Sequence, residues 1–86
     1  MSAVIDREFI ARQQVIRRAI LITLYEARKF DPFGCSHDPV HALGHAPQEL
    51  QFAFGYLAEL GFVGRASASC RITAQGINHI EKELSV

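Results

Sequence analysis

Between Pro47 and Gly61 the chain reads P-Q-E-L-Q-F-A-F-G-Y-L-A-E-L-G, a segment that carries its own start and its own stop. Proline suits a first helical turn, where its missing N–H is not needed. Glycine suits the left-handed residue that ends a helix. Leu50, Ala53, Phe54, Leu57 and Leu60 recur at three- and four-residue steps and so share one face, which requires a core to bury it. The flanking stretches, D-P-V-H-A-L-G-H-A before and F-V-G-R-A-S-A-S-C-R-I-T-A-Q-G after, read as a turn-linked helix and a two-stranded hairpin.

A second constraint is the run from Val4 to Phe30, which contains neither Gly nor Pro. Ile5, Phe9, Ile16, Ile20, Leu24 and Ala27 fall on one helical stripe. A continuous helix of about 25 residues would be roughly 37 Å long, more than the width of so small a domain, so its first half is expected to project. Val4, Ala11, Val15 and Ile22 form another stripe, and Ile10 and Leu21 widen the apolar surface. A helix that is apolar on more than one face buries more than one, which predicts a homodimer through this helix, with Ile5, Phe9, Val15 and Ile22 as interface candidates. The alternative is a break near Arg12 or Gln13, with the helix folding back on its own domain.

The remaining elements follow from punctuation. Asp31, Pro32 and Gly34 end the first helix; Ser36 or Asp38 can cap a short second one with Pro39 in its first turn, Val40 and Leu43 facing inward and Gly44 ending it. After Gly61 the period becomes two: Val63 and Arg65 alternate with Phe62, Gly64 and Ala66, and Cys70 and Ile72 alternate with Ser69 and Arg71, around a turn at Ser67-Ala68. Thr73 can cap a last helix through Ile77, Ile80 and Leu84. The fold class expected is mainly α with a small β-hairpin, α+β, in one domain of 86 residues.

Net charge is zero, but it is unevenly placed. Residues 1–30 set Arg7, Arg12, Arg17, Arg18, Arg28 and Lys29 against Asp6, Glu8 and Glu26, whereas residues 31–64 hold Asp31, Asp38, Glu49 and Glu59 with no Lys or Arg. The segment around the central helix is therefore acidic. Met1 to Phe9 lacks the pattern of a secretory signal, and the longest apolar run is too short to span a bilayer. A soluble, cytoplasmic protein without membrane attachment is expected, and Cys35 and Cys70 do not amount to a disulfide framework.

The segment A-L-G-H-A-P-Q-E-L-Q-F-A-F-G-Y-L-A-E-L-G-F-V, followed by R-I-T-A-Q-G-I-N-H-I-E, resembles the winged helix-turn-helix domains of bacterial transcription regulators. The first stretch is similar to their second helix, turn and third helix; the second is similar to a wing strand leading through Leu/Ile-Thr-x-x-Gly into the last helix. On this resemblance residues 1–30 form a long N-terminal helix that dimerises, 38–61 the helix-turn-helix, 62–73 the wing and 74–84 the last helix. It implies binding of duplex DNA as a dimer, with the helix after Pro47 in the major groove and the wing on the backbone or minor groove.

Projected outward from its apolar face, that helix presents Gln48, Gln51, Phe52, Gly55 and Glu59, with Tyr56 at the edge. Gln48 and Gln51 suit an adenine edge, and Tyr56 suits a phosphate. Arg65 and Arg71 on the wing, beside Ser67 and Ser69, are the first candidates for phosphate contact, with the helix-one cations after them. Phe52 instead invites a protein contact, because an exposed ring beside Tyr56 forms an apolar patch. The second function class is accordingly a winged helix used for protein interaction without DNA.

Cys35, His37, His41 and His45 form C-x-H-x3-H-x3-H, donor types that can bind zinc. Pro39 and Gly44 argue against one regular helix presenting all of them, so no metal and no cofactor is expected. Neither an oxyanion-hole motif nor a phosphate-cradling glycine loop accompanies the cysteines and serines, and the chain is expected not to be an enzyme.

Overall fold

A computed structural model of the chain describes residues 6–30, 44–66 and 69–84, with the backbone alone for 65, 66 and 69. Their order is helix α1 (Arg7–Phe30), helix α2 (Pro47–Glu59), strands β1 (Val63–Ala66) and β2 (Ser69–Ile72), and helix α3 (Ala74–Leu84). The architecture is mainly helical with one small two-stranded antiparallel sheet, an α+β arrangement. No helix among the described residues is long and apolar enough to cross a membrane. The short second helix expected ahead of Gly44, over 39–43, the Ser67-Ala68 turn and the start of the first helix at Val4 all lie outside the described residues; Gly44 itself has φ of +76°.

Within the described residues, α1 begins at Arg7, one residue after a cap. The Asp6 carboxylate accepts from the N–H groups of Glu8 at 3.0 Å and Phe9 at 3.1 Å, satisfying two donors that a helix start leaves open. Glu8 in the first turn and Arg28 and Lys29 in the last complement the helix dipole. Ile16, Ile20, Leu21 and Leu24 are buried and form the post around which everything else packs. The first half of α1 does not project beyond the domain from Phe9 onward, because α2 lies across it. Phe9 meets Phe52 edge-on, ring centroids 5.1 Å apart, and Arg12 pairs with Glu49 at 2.7 Å.

Helix α2 starts as its sequence requires, with Pro47 in the first turn and no side-chain cap from Ala46. It ends in a Schellman arrangement: Gly61 has φ of +79°, its N–H donates to the Ala58 carbonyl, and the Phe62 N–H donates to the Leu57 carbonyl at 2.9 Å. Leu50, Ala53 and Leu57 are buried, and Phe54 is half-buried against the same core. Leu60, expected on that face, is instead substantially exposed, because the helix is closing there.

The hairpin register pairs Val63 with Ile72, Gly64 with Arg71, Arg65 with Cys70 and Ala66 with Ser69. Val63, Cys70 and Ile72 are buried, so this face of the sheet covers the core, as the alternation predicts. Arg28 fixes the sheet to α1 by donating to the Ile72 carbonyl at 2.7 Å.

The T-A-Q-G lead-in to α3 has a physical basis in four contacts. The Thr73 hydroxyl accepts from the Gly76 N–H at 3.1 Å, capping the helix, and itself donates to the Gly61 carbonyl. The Thr73 N–H donates to the Phe62 carbonyl, and the Gln75 amide donates to the Leu60 carbonyl, each at 2.9 Å. Gly76 is buried where any Cβ would fall on the Phe62 carbonyl and crowd Ile72. On the far side of α1, Tyr25 donates to the Glu81 carboxylate at 2.7 Å, and this bond raises the phenol's pKa above its ordinary value.

Two glycines therefore predict opposite outcomes. Gly76→Ala is expected to destabilise by about 3 kcal/mol, since the Phe62 backbone must move. Gly55→Ala, whose Cβ would meet nothing within 4 Å, is expected to stabilise α2 by about 0.5–1 kcal/mol. Urea unfolding of both variants beside the parent checks the contrast.

Candidate functional site

The site is built on the outward side of α2 because the other side is fully used by Leu50, Ala53 and Leu57. With one turn per 3.6 residues, fixing those three inward leaves Gln48, Gln51, Phe52, Gly55 and Glu59 outward, and all five are exposed. Tyr56 stands at the edge toward α1, 41% exposed. This is the face the apolar periodicity predicts. No Lys or Arg stands on it.

Cations reach α2 from α1 instead. The Arg12 guanidinium holds the Glu49 carboxylate at 2.7 Å, which also keeps Arg12 protonated beyond its ordinary range. The Arg17 guanidinium lies over the Tyr56 ring, 3.9 Å from its centroid, a close cation–π contact. The acidic middle of the sequence is thus partly neutralised across the α1–α2 contact. Four of the six cations assigned to phosphate on helix one have other work: Arg12 and Arg17 on α2, Arg28 on β2, and Lys29 beside Glu26 at 3.4 Å. Among the described residues, Arg7, Arg18, Arg71 and Lys82 carry no ion pair.

The wing candidates separate. Arg71 is exposed opposite Gly64, whereas Arg65 pairs with the buried Cys70, so the two arginines hold positions on opposite faces of the hairpin. Ser69 lies in β2 beside Ala66, and Ser67 lies outside the described residues.

The interface candidates also divide. Val15 is 63% exposed beside exposed Ala11, while Ile22 is half-buried against this chain's own core. Phe9 is half-buried on Phe52, which remains 56% exposed despite that contact. Ile5 lies outside the described residues. Of the metal candidates only His45 is described; it lies half-buried near Arg12 and Val15, and Cys35, His37 and His41 fall outside. Among the described residues no group of three His, Cys, Asp or Glu side chains converges.

One residue escaped the sequence reading. Gln13 is 0% exposed, its amide donating to the Glu49 carbonyl at 3.1 Å while its own carbonyl oxygen is buried without a donor. It occupies the stripe of Phe9, Ile16, Ile20 and Leu24, so its position, though not its chemistry, marked it for burial. The chain matches no protein-family model, no curated protein and no solved structure.

Gln13 and Arg12 both hold Glu49, and their replacement separates burial from surface charge. Gln13→Ala is expected to cost about 2–3 kcal/mol by cavity and lost hydrogen bond, and Gln13→Met, which keeps the volume and removes the unmet oxygen, less than about 1 kcal/mol. Arg12→Ala is expected to cost less than Gln13→Ala, by an amount that shrinks with salt. Thermal midpoints at low and high salt measure both.

Proposed function

We propose that this chain is a winged helix-turn-helix domain with a long N-terminal helix that binds duplex DNA as a transcription regulator. In this reading α2 is the helix that enters the major groove and the β1–β2 hairpin is the wing. The order of α1, α2, hairpin and α3 supports it. The observation that carries it is the outward face of α2, where Gln48, Gln51, Gly55 and Glu59 are exposed and only Phe52 meets α1, through Phe9. An α-helix fits the major groove, and a glutamine amide matches the donor and acceptor of an adenine edge. The Arg12–Glu49 pair removes one of the two carboxylates that would oppose phosphate, and Arg18 and Arg71 supply positive charge at the margins. Exposed Val15 beside Ala11 supports a homodimer through α1.

A second reading rests on a separate observation. Phe52 and Tyr56 are 56% and 41% exposed on one side of α2, and an apolar ring left so open is a contact surface. A winged-helix protein-interaction module would use these two side chains and no DNA.

Binding to random-sequence duplex DNA at low and moderate salt, with the mass in solution measured on the same samples, separates the two. The regulator reading expects a dimer whose affinity falls steeply with salt. Arg71→Ala is expected to weaken all sequences alike and lower the salt slope by about 1. On a selected site, Gln48→Ala or Gln51→Ala is expected to cost about 1–3 kcal/mol and to relax preference at one base pair. No binding at low salt overturns the DNA reading in favour of the protein partner, and a monomer mass independent of concentration overturns the dimer.

A further inference from the structure

A groove of about 410 Å³ opens where α1, the end of α2 and the second half of α3 meet, beside the outward face of α2 and sharing Tyr56 at its edge. We propose that it binds a small organic carboxylate with an apolar body. This assignment stands whether or not α2 reads DNA.

The floor is apolar. Leu21 and Leu57 are buried beneath it, and Leu60 and Phe62 present accessible surface beside them. The wall from α1 is cationic. The Arg17 guanidinium carbon sits 3.9 Å from the centroid of the Tyr56 ring, a contact that takes up none of its N–H donors. Its Nε is buried with no acceptor among the described residues. Arg18 follows it into the lining, exposed and without an ion pair. The opposite wall, from α3, answers only in part. His79 stacks on Phe62 with centroids 4.5 Å apart, and its Nε2 lies 3.6 Å from Glu83, the groove's one carboxylate and the group a bound anion must keep clear of.

This lining specifies its ligand by complementarity. Two guanidiniums on one wall call for a planar anion, which a guanidinium fork meets with paired hydrogen bonds. An inorganic anion would leave Leu60 and Phe62 uncovered, and a neutral hydrophobe would leave Arg17 unanswered. The volume lies within the range of small-molecule sites, and a site of that kind pairs an apolar lining with a few placed polar groups. Tyr56 and Leu60 belong to α2, so the ligand would touch the helix that carries the outward face.

The test uses the full chain with 2-naphthoate and its neutral counterpart 2-naphthamide, followed by NMR shifts. Saturable shifts centred on Arg17, Arg18, Tyr56, Leu60 and Phe62 are expected, with naphthoate bound at least about 10-fold more tightly than naphthamide. Arg18→Gln and Arg17→Gln are each expected to weaken naphthoate about 10-fold while leaving naphthamide unchanged, with the dispersion of the remaining spectrum reporting that both variants stay folded. Equal affinity for the two probes, shifts centred elsewhere, folded variants that keep the parent's preference, or no saturable shift at millimolar probe overturns the proposal.

Discussion

The structure depends on one junction, where the Phe62 carbonyl and the Gly61 carbonyl meet the start of α3. Gly61 takes the left-handed conformation that closes α2, and the chain then leaves at an angle that lets β1 run back over the core. Thr73 returns at the other end of the hairpin, with its hydroxyl caught between the Gly61 carbonyl and the Gly76 N–H. The bare Cα of Gly76 lets α3 come down onto Phe62. Through these contacts the end of one helix and the beginning of the next are held together, and the hairpin between them can place Val63, Cys70 and Ile72 over Ile16, Ile20 and Leu24 without a wider sheet to hold it. A two-stranded hairpin alone is marginal in water; here the two helices and Arg28 supply its support.

The second organising feature is that α1 carries the charge that α2 lacks. Arg12 and Arg17 belong to the basic end of the sequence, yet each is folded against α2, one on a carboxylate and one on an aromatic face. Among the described residues, these two cations are therefore engaged by α2 rather than left without a partner. Contacts to a polyanion would have to come from the margins, from Arg18, Arg71 and the ends of α1. The same arrangement lines the groove beside Tyr56, because the cation–π contact leaves the Arg17 N–H donors without an acceptor from the ring.

Much of the fold was legible from residue order. Pro47 and Gly61 marked both ends of α2; the alternation after Gly61 put Cys70 and Ile72 on the buried face; Thr73 announced the cap of α3. The outward face of α2 was legible for the same reason, since three inward apolar residues at helical spacing leave the others no choice. The projecting first half of α1 was a misreading. Phe9, Arg12 and Gln13 had no visible partner in the sequence, because theirs lie some forty residues away at Phe52 and Glu49.

What the sequence determined by itself, then, is local: where helices start and stop, which face of each is apolar, and that a hairpin follows α2. These follow from backbone sterics, capping hydrogen bonds and periodicity, all of which act over a few residues. Only the tertiary structure decided that Gln13 is buried, that Glu49 pairs with Arg12, that Arg17 rests on Tyr56 and that the positions of Arg65 and Arg71 fall on opposite faces of the hairpin in one register. Each of these depends on which surfaces meet and at what angle. That outcome belongs to the packing of the whole chain, because a long polar side chain has no fixed partner until the fold brings one within reach.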